Sequence, residues 1–264
     1  MEERRYLARS WSLLTQSKGW MKPVLVLTAA NYVPLVGSIG VDGFALEWAR
    51  LTAWGIDAAP KQQKVDVTGC LVSGMRALVV SMALSILVGI PIGVLRGVSS
   101  AMEGGIGGFV SLVVSIVAFV VTLLSGAVIM VAKLRVAIYE KMRAGFSITT
   151  MYQMICLDPQ GFIHMLGISL LCGMISGVAI VAVFIVLAMM LVPTVLSLSY
   201  ASNVEVLRAL AGLSIPLMVA TMFLSFVVSM LGVIFNLVQY NAMALWVRRF
   251  NVPAWGAPDD PLPE

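Results

Sequence analysis

The chain has 264 residues, 60% of them hydrophobic and 11% charged, with a formal net charge of +4. That charge fraction is less than half of the ~25% usual in soluble domains, which excludes an ordinary soluble enzyme or binding module. The positive balance is not a nucleic-acid signature either, because Lys and Arg stand in connections beside long apolar runs, where the orientation signals of membrane proteins stand.

Several of those runs reach the ~20 apolar residues needed to cross a bilayer. The expected fold is therefore all-α, a polytopic transmembrane helical bundle whose first partner is the lipid bilayer. Residues 1–20 read as an amphipathic interfacial helix. Leu7, Trp11 and Leu14 share one face, and Arg5, Arg9, Ser12 and Gln16 share the opposite one, which suits an anionic membrane surface. The alternative for this segment is a frayed basic tail. Residues 21–247 form the transmembrane helical domain, and 248–264 a cytoplasmic Pro-rich tail. The first apolar run starts late, contains Asn31 and lacks a small-x-small site after it, so it is not read as a cleavable leader.

The stretch from Pro34 to Asp57 is the most informative. Pro34 disfavours helix at Val33, and Gly37, Gly40 and Gly43 supply freedom for a reversal. This predicts a helical hairpin: up through 22–36, a turn at 37–42, down through 43–55, with Asp42 as N-cap. Ala45, Ala49 and Ala53 form a small-residue stripe on the second arm, and Glu47 and Arg50, three apart, can pair. At ~1.5 Å per residue that arm is ~20 Å long, which puts Glu47, Arg50 and Trp54 near the returning interface.

Residues 57–68 read as a polar surface connection, with Asp66 or Thr68 capping the next helix. The span at 75–95 contains Pro91, with Gly89 and Gly93 spaced for a kink and a close crossing. Residues 97–108 form a turn, and the next span, 109–132, carries an Ala118/Thr122/Gly126 stripe. Gly145 is the expected C-cap, Ser147 caps a short helix, and Asp158-Pro159 opens the next. That helix runs over 159–192 with Ser169, Gly173 and Gly177 on one face. A connection at 193–210 leads to the last helix, 211–246, which carries a polar stripe of Thr221, Ser225, Ser229, Asn236 and Tyr240.

The basic sites are the N-terminus, 61–76, 133–143 and 248–249. Placing all four in the cytoplasm requires an even number of passes between them. The outcome is about six helical passes in three hairpins with short interfacial helices and both termini inside. A rival topology has a single span at 24–40 and five passes, and it leaves Lys61, Lys64 and Arg76 outside.

The Pro-x-x-Gly turn, Gly43-Phe-Ala-Leu-Glu-Trp-Ala-Arg50, and Trp54-Gly55-Ile-Asp57 resemble a prokaryotic integral membrane family catalogued as domain of unknown function 4013. Arg135-Val-Ala-Ile-Tyr139, with Gly145-Phe146 and Asp158, is similar to that family's second cytoplasmic connection. The resemblance covers residues 5–245. It implies a fold and a membrane location, and it implies no reaction and no catalytic residues.

Chemical motifs are scarce. No H-E-x-x-H or G-x-S-x-G occurs, and the sole histidine, His164, reads as interfacial. Asp42-Gly43 lacks the residues that would continue a CDP-alcohol phosphotransferase or intramembrane aspartyl protease motif. Cys70, Cys156 and Cys172 have no short spacing, so no disulfide framework, metal or cofactor is expected. The 17 methionines read as adaptable core filler. Two readings stand for Asp42, Glu47 and Arg50. They line a polar path, or they are a helix cap and an interfacial ion pair. Thr221, Ser225, Ser229 and Asn236 likewise line a solute cavity or join helices.

The expectation is a non-enzymatic structural or accessory subunit of a bacterial inner-membrane assembly, self-associating or joined to other membrane subunits, with no nucleic acid. The alternative is a small permease or transporter component with its polar site at the broken helix 34–57.

Overall fold

The computed structural model describes residues 5–101, 105–198 and 203–250, with side chains at all of these except 105–106, 190–198 and 203–215. The described residues are all-helical, without a strand: α1 (Tyr6–Thr15), α2 (Met21–Ala30), α3 (Val36–Ala53), α4 (Val67–Ser100), α5 (Gly105–Tyr139), α6 (Met142–Gly145), α7 (Ile148–Leu157), α8 (Pro159–Leu198) and α9 (Asn203–Val247).

α1 is a helix as expected, and Leu14 and part of Leu7 of the expected face pack inward, but the buried face is rotated away from Trp11. Tyr6, Ser10 and Leu14 are buried against α9, and Ser10 Oγ donates to the Val238 carbonyl at 2.8 Å. A small hydroxyl with a bond partner allows closer approach to a neighbouring helix than an indole does. Trp11 stays half exposed and meets Trp20 edge-on at 6.0 Å.

The reversal after α2 occupies residues 31–35 and not 37–42. Leu35 carries it, in the left-handed region at φ 62, directly after Pro34. From Val36 onward α3 is unbroken, so Asp42 lies inside the helix and is not an N-cap. The glycines serve contact and not turning. A Cβ on Gly37 would stand 1.9 Å from the Ala30 carbonyl oxygen, and one on Gly43 1.7 Å from that of Cys70. Gly74 mirrors this on α4, where a Cβ would stand 2.0 Å from the Ile39 oxygen. α3 thus runs antiparallel along the first turns of α4, backbone on backbone. Ala45, Ala49 and Ala53 are buried, as their stripe predicts.

Asp66 is the cap of α4, accepting from Gly69 N at 3.0 Å. α4 and α5 both overrun their expected bounds: α4 runs on to Ser100 and α5 already begins at Gly105, inside the expected turn at 97–108. α8 and α9 do the same, α8 running to Leu198 and α9 beginning at Asn203, inside the expected connection at 193–210. Helix through a glycine costs about 1 kcal/mol, less than leaving backbone groups unpaired beside an apolar solvent. Arg135–Tyr139 is accordingly still helical and ends α5. Gly145 does not cap α5. It closes α6, where a Cβ would meet Val136 Cγ2 at 2.5 Å. Ser147 precedes α7, but its hydroxyl donates to the Arg143 carbonyl instead of capping. Asp158 caps α8, accepting from Gly161 N at 3.0 Å, with Pro159 first in the helix. The expected tail lies outside the described residues from position 251 onward.

Four described helical stretches are long and apolar enough to cross a membrane: Val67–Ser100, Gly107–Tyr139, Pro159–Met189 and Pro216–Val247. α2 and α7, with 10 residues each, reach only ~15 Å. α3 has 18 residues and three charged side chains. The buried core gathers α1, one face of α2, α3, the first half of α4, the ends of α5 and α9, α7 and the start of α8. Beyond it the four long helices continue with only 6–17% of their most apolar stretches buried. Gly89 and Gly93 meet nothing within 4 Å, so the close crossing expected there is not made among the described residues.

Candidate functional site

Residues 105–132 of α5 carry no charged side chain, and Lys133 is the first. It points to α3. Lys133 Nζ lies 2.9 Å from Asp42 Oδ2, and Asn236 Nδ2 of α9 donates to Asp42 Oδ1 at 2.8 Å. The side chains of Lys133 and Asp42 are only 17% and 30% exposed. Tyr240, one turn beyond Asn236 on α9, is buried, with its ring 6.0 Å from Lys133 Nζ. An unpaired charge at membrane depth is costly, and this arrangement neutralises Asp42 and satisfies both its oxygens. The Oδ1 of Asn236 is buried and has no hydrogen-bond partner.

These residues form one wall of a cleft of about 390 Å³ between α3, α5, α8 and α9. Ser169, Cys172, Gly173 and Ser176 of α8 face them across it, and Gln239 closes one edge. Among the described residues no three His, Cys, Asp or Glu side chains converge as a metal would require. The cleft offers a cation, an anion, an open acceptor and several hydroxyls.

The other expected residues divide between two further clusters. Arg50 Nη1 pairs with Glu47 at 3.3 Å, as the spacing predicts, and also with Glu140 at 2.5 Å. Ser73 Oγ of α4 donates to Glu47. Asp42 is not part of this group, so the charged trio is split across two faces of α3. Ser225 and Ser229 hold the α2–α3 turn. Tyr32 Oη and Ser225 Oγ lie 3.0 Å apart, and Asn31 Nδ2 donates to Ser229 Oγ at 3.1 Å. Thr221 Oγ1 donates to the Leu217 carbonyl of its own helix. Of the polar stripe on α9, only Asn236 and Tyr240 reach the cleft.

A third cluster sits at the end of the fold. Asp57 accepts from Arg9 at 2.7 Å and from Arg248 at 2.9 Å. Arg249 binds Asp158 at 2.9 Å and Tyr6 Oη at 3.0 Å. The start of α1, the segment after α3, the start of α8 and the end of α9 are thereby joined at one end of the long helices.

Lys133 was the residue hidden from sequence reasoning, which treats it as an orientation signal. The available hint was stoichiometric: Asp42 sits in an apolar segment and needs a cation, and Lys133 borders the longest uncharged run of α5.

Residues 26–185, more than half of the chain, match the family described as "Protein of unknown function (DUF4013)". The chain belongs to this family. The DUF4013 match contains Asp42, Glu47, Arg50, Lys133 and Glu140, whereas Asn236 and Tyr240 lie beyond it. It is shorter than the resemblance over residues 5–245. No curated protein and no solved structure matches the chain.

Proposed function

We infer that this DUF4013 protein is a non-enzymatic subunit of a membrane assembly, whose long helices pack against other membrane helices. One observation carries the reading. Gly89, Gly93 and Gly97 recur every four residues on α4, and a Cβ at any of them would meet nothing within 4 Å. Small residues at this spacing are how membrane helices approach closely, and among the described residues none fills the space. The scant burial of the long helices supports the same view. We take the membrane to be a bacterial cytoplasmic one with both termini inside, the arrangement that the basic connections favour. Asp57 meeting Arg9 and Arg248 supports a first hairpin, α2–α3, that returns to its side of entry.

The test is the oligomeric state of the purified chain in nanodiscs and in mild detergent, with partners sought by crosslinking in the native membrane. Wild type is expected in a complex. Gly93→Leu with Gly97→Leu should release monomer without lowering thermal stability. A wild type that is monomeric and uncrosslinked at every concentration sinks the reading.

A second reading is favoured by the Asp42–Lys133 pair beside its cleft: a solute-handling component with its polar site on α3. Asp42→Asn should then abolish solute flux in liposomes, and absent or unaltered flux removes it.

A further inference from the structure

We propose that the cleft between α3, α5, α8 and α9 binds a zwitterion carrying a primary ammonium group. The proposal rests on the second reading for the position of the site, and not for transport, so binding is measured without flux.

Charge balance gives the class. Asp42 and Lys133 neutralise each other in a site that is largely shielded from water. A ligand of net charge would upset that balance and bring its own desolvation cost. A ligand with both charges can exchange partners instead: its anionic group takes Lys133, and its cationic group takes Asp42. Nothing net is added to the site.

The unfilled acceptor narrows the class. Asn236 spends its amide N–H on Asp42 and leaves its buried Oδ1 without a partner. A buried acceptor left open is destabilising, and a donor arriving with the ligand relieves it. An ammonium with N–H bonds can bridge Asp42 and Asn236 Oδ1, whereas a quaternary ammonium has no proton to give. Ser169, Ser176, Gln239 and Tyr240 line the remaining cleft and offer hydrogen bonds to the anionic end. The volume of about 390 Å³ lies in the ~300–1,000 Å³ range of small-molecule sites.

Two sources supply this chemistry: a free amino acid, or the headgroup of a phosphatidylethanolamine. An apolar groove of about 320 Å³, lined by Leu7, Trp11, Leu171, Ile175 and Val238, adjoins the cleft, and both share Cys172 and Phe235.

The full chain is placed in phosphatidylcholine nanodiscs and titrated with glycine, glycerophosphoethanolamine, glycine betaine, acetate and methylammonium. Calorimetry and the thermal midpoint are read. Glycine or glycerophosphoethanolamine, both without net charge, should bind saturably and raise the midpoint. Betaine, acetate and methylammonium should do neither. In a parallel arm, phosphatidylethanolamine is added to the discs. A raised midpoint and loss of the glycerophosphoethanolamine response identify the lipid as the source, and an unchanged response identifies the free solute. Asn236→Leu should weaken binding at least tenfold. Gly173→Leu, whose side chain enters open space beside the cleft, should fill it and abolish binding while the fold stays intact. Betaine binding as well as glycine does overturns the proposal, as does binding that survives Gly173→Leu. Absence of a response to every zwitterion in both arms overturns it too.

Discussion

Gly43 of α3 faces the carbonyl oxygen of Cys70 on α4 so closely that a Cβ would stand 1.7 Å from it. No rotamer relieves such a contact, because the backbone fixes where a Cβ stands and the oxygen is itself a backbone atom. Gly43→Ala must push α3 off α4, at about 1–3 kcal/mol or more. Gly74→Ala should do the same from the other side, against Ile39. Gly89→Ala meets open space and should leave the chain as stable or slightly better, through helix propensity. Unfolding by SDS in mixed micelles checks this, and a Gly43→Ala protein with wild-type stability would refute the packing.

The same glycines show what was legible in the sequence and what was not. Apolar run length reveals the helical membrane class, because a run of ~20 apolar residues has few other homes. Asp66, Asp158-Pro159 and Glu47–Arg50 were readable because caps and i,i+3 pairs are local. Gly37, Gly40 and Gly43 were misread because a glycine has two distinct properties, free dihedrals and no Cβ. Sequence proximity to Pro34 suggested the first, but the structure uses the second at Gly37 and Gly43. The turn was taken by Leu35, a residue that no propensity places at φ 62. Asp42–Lys133 joins residues on separate helices, so only the stoichiometry of charge pointed to it.

Removing Asp42 should cost more than removing the whole pair. Asp42→Asn leaves Lys133 charged in a site where it is only 17% exposed. The expected loss is below the ~3–5 kcal/mol of a fully buried broken pair, since both groups keep some water. Asp42→Asn with Lys133→Met removes both charges and should recover part of that loss. A double-mutant cycle on unfolding free energy measures the coupling, and additive single effects would deny that the two groups interact.

Trp246 closes the end of α9. It is fully buried, 5.1 Å from the Phe250 ring and 6.0 Å from that of Phe162 on α8. Trp246→Ala should cost about 3–5 kcal/mol through lost transfer and the cavity left behind. Its indole N–H has no acceptor, so Trp246→Phe gives up volume but also removes a buried orphan donor and should cost clearly less. Equal losses in the two variants would show that this N–H is satisfied after all. Thermal unfolding of the detergent-solubilised proteins separates the cases.

The last prediction concerns sides. Asp57 holds Arg9 and Arg248, and Gln62 donates to Ser17 Oγ, so the segment after α3 lies beside α1 and the end of α9. Ser100 ends α4, 33 residues after Val67 and therefore ~50 Å away along the helix. No bilayer core, at ~30 Å, leaves both ends of that helix on one face if it crosses straight. Cys156 is exposed and would report by itself, whereas Cys70 and Cys172 are buried, so the background is Cys156→Ser. In sealed vesicles of one orientation, Ser12→Cys and Gln62→Cys should react with an impermeant maleimide from the same side, and Ser100→Cys from the opposite one. If Gln62→Cys instead reacts together with Ser100→Cys, α3 does not return to the side of α1. The ion pairs of Asp57 could not then form in the membrane, and the placement of Asp42 against Lys133 would lose its frame.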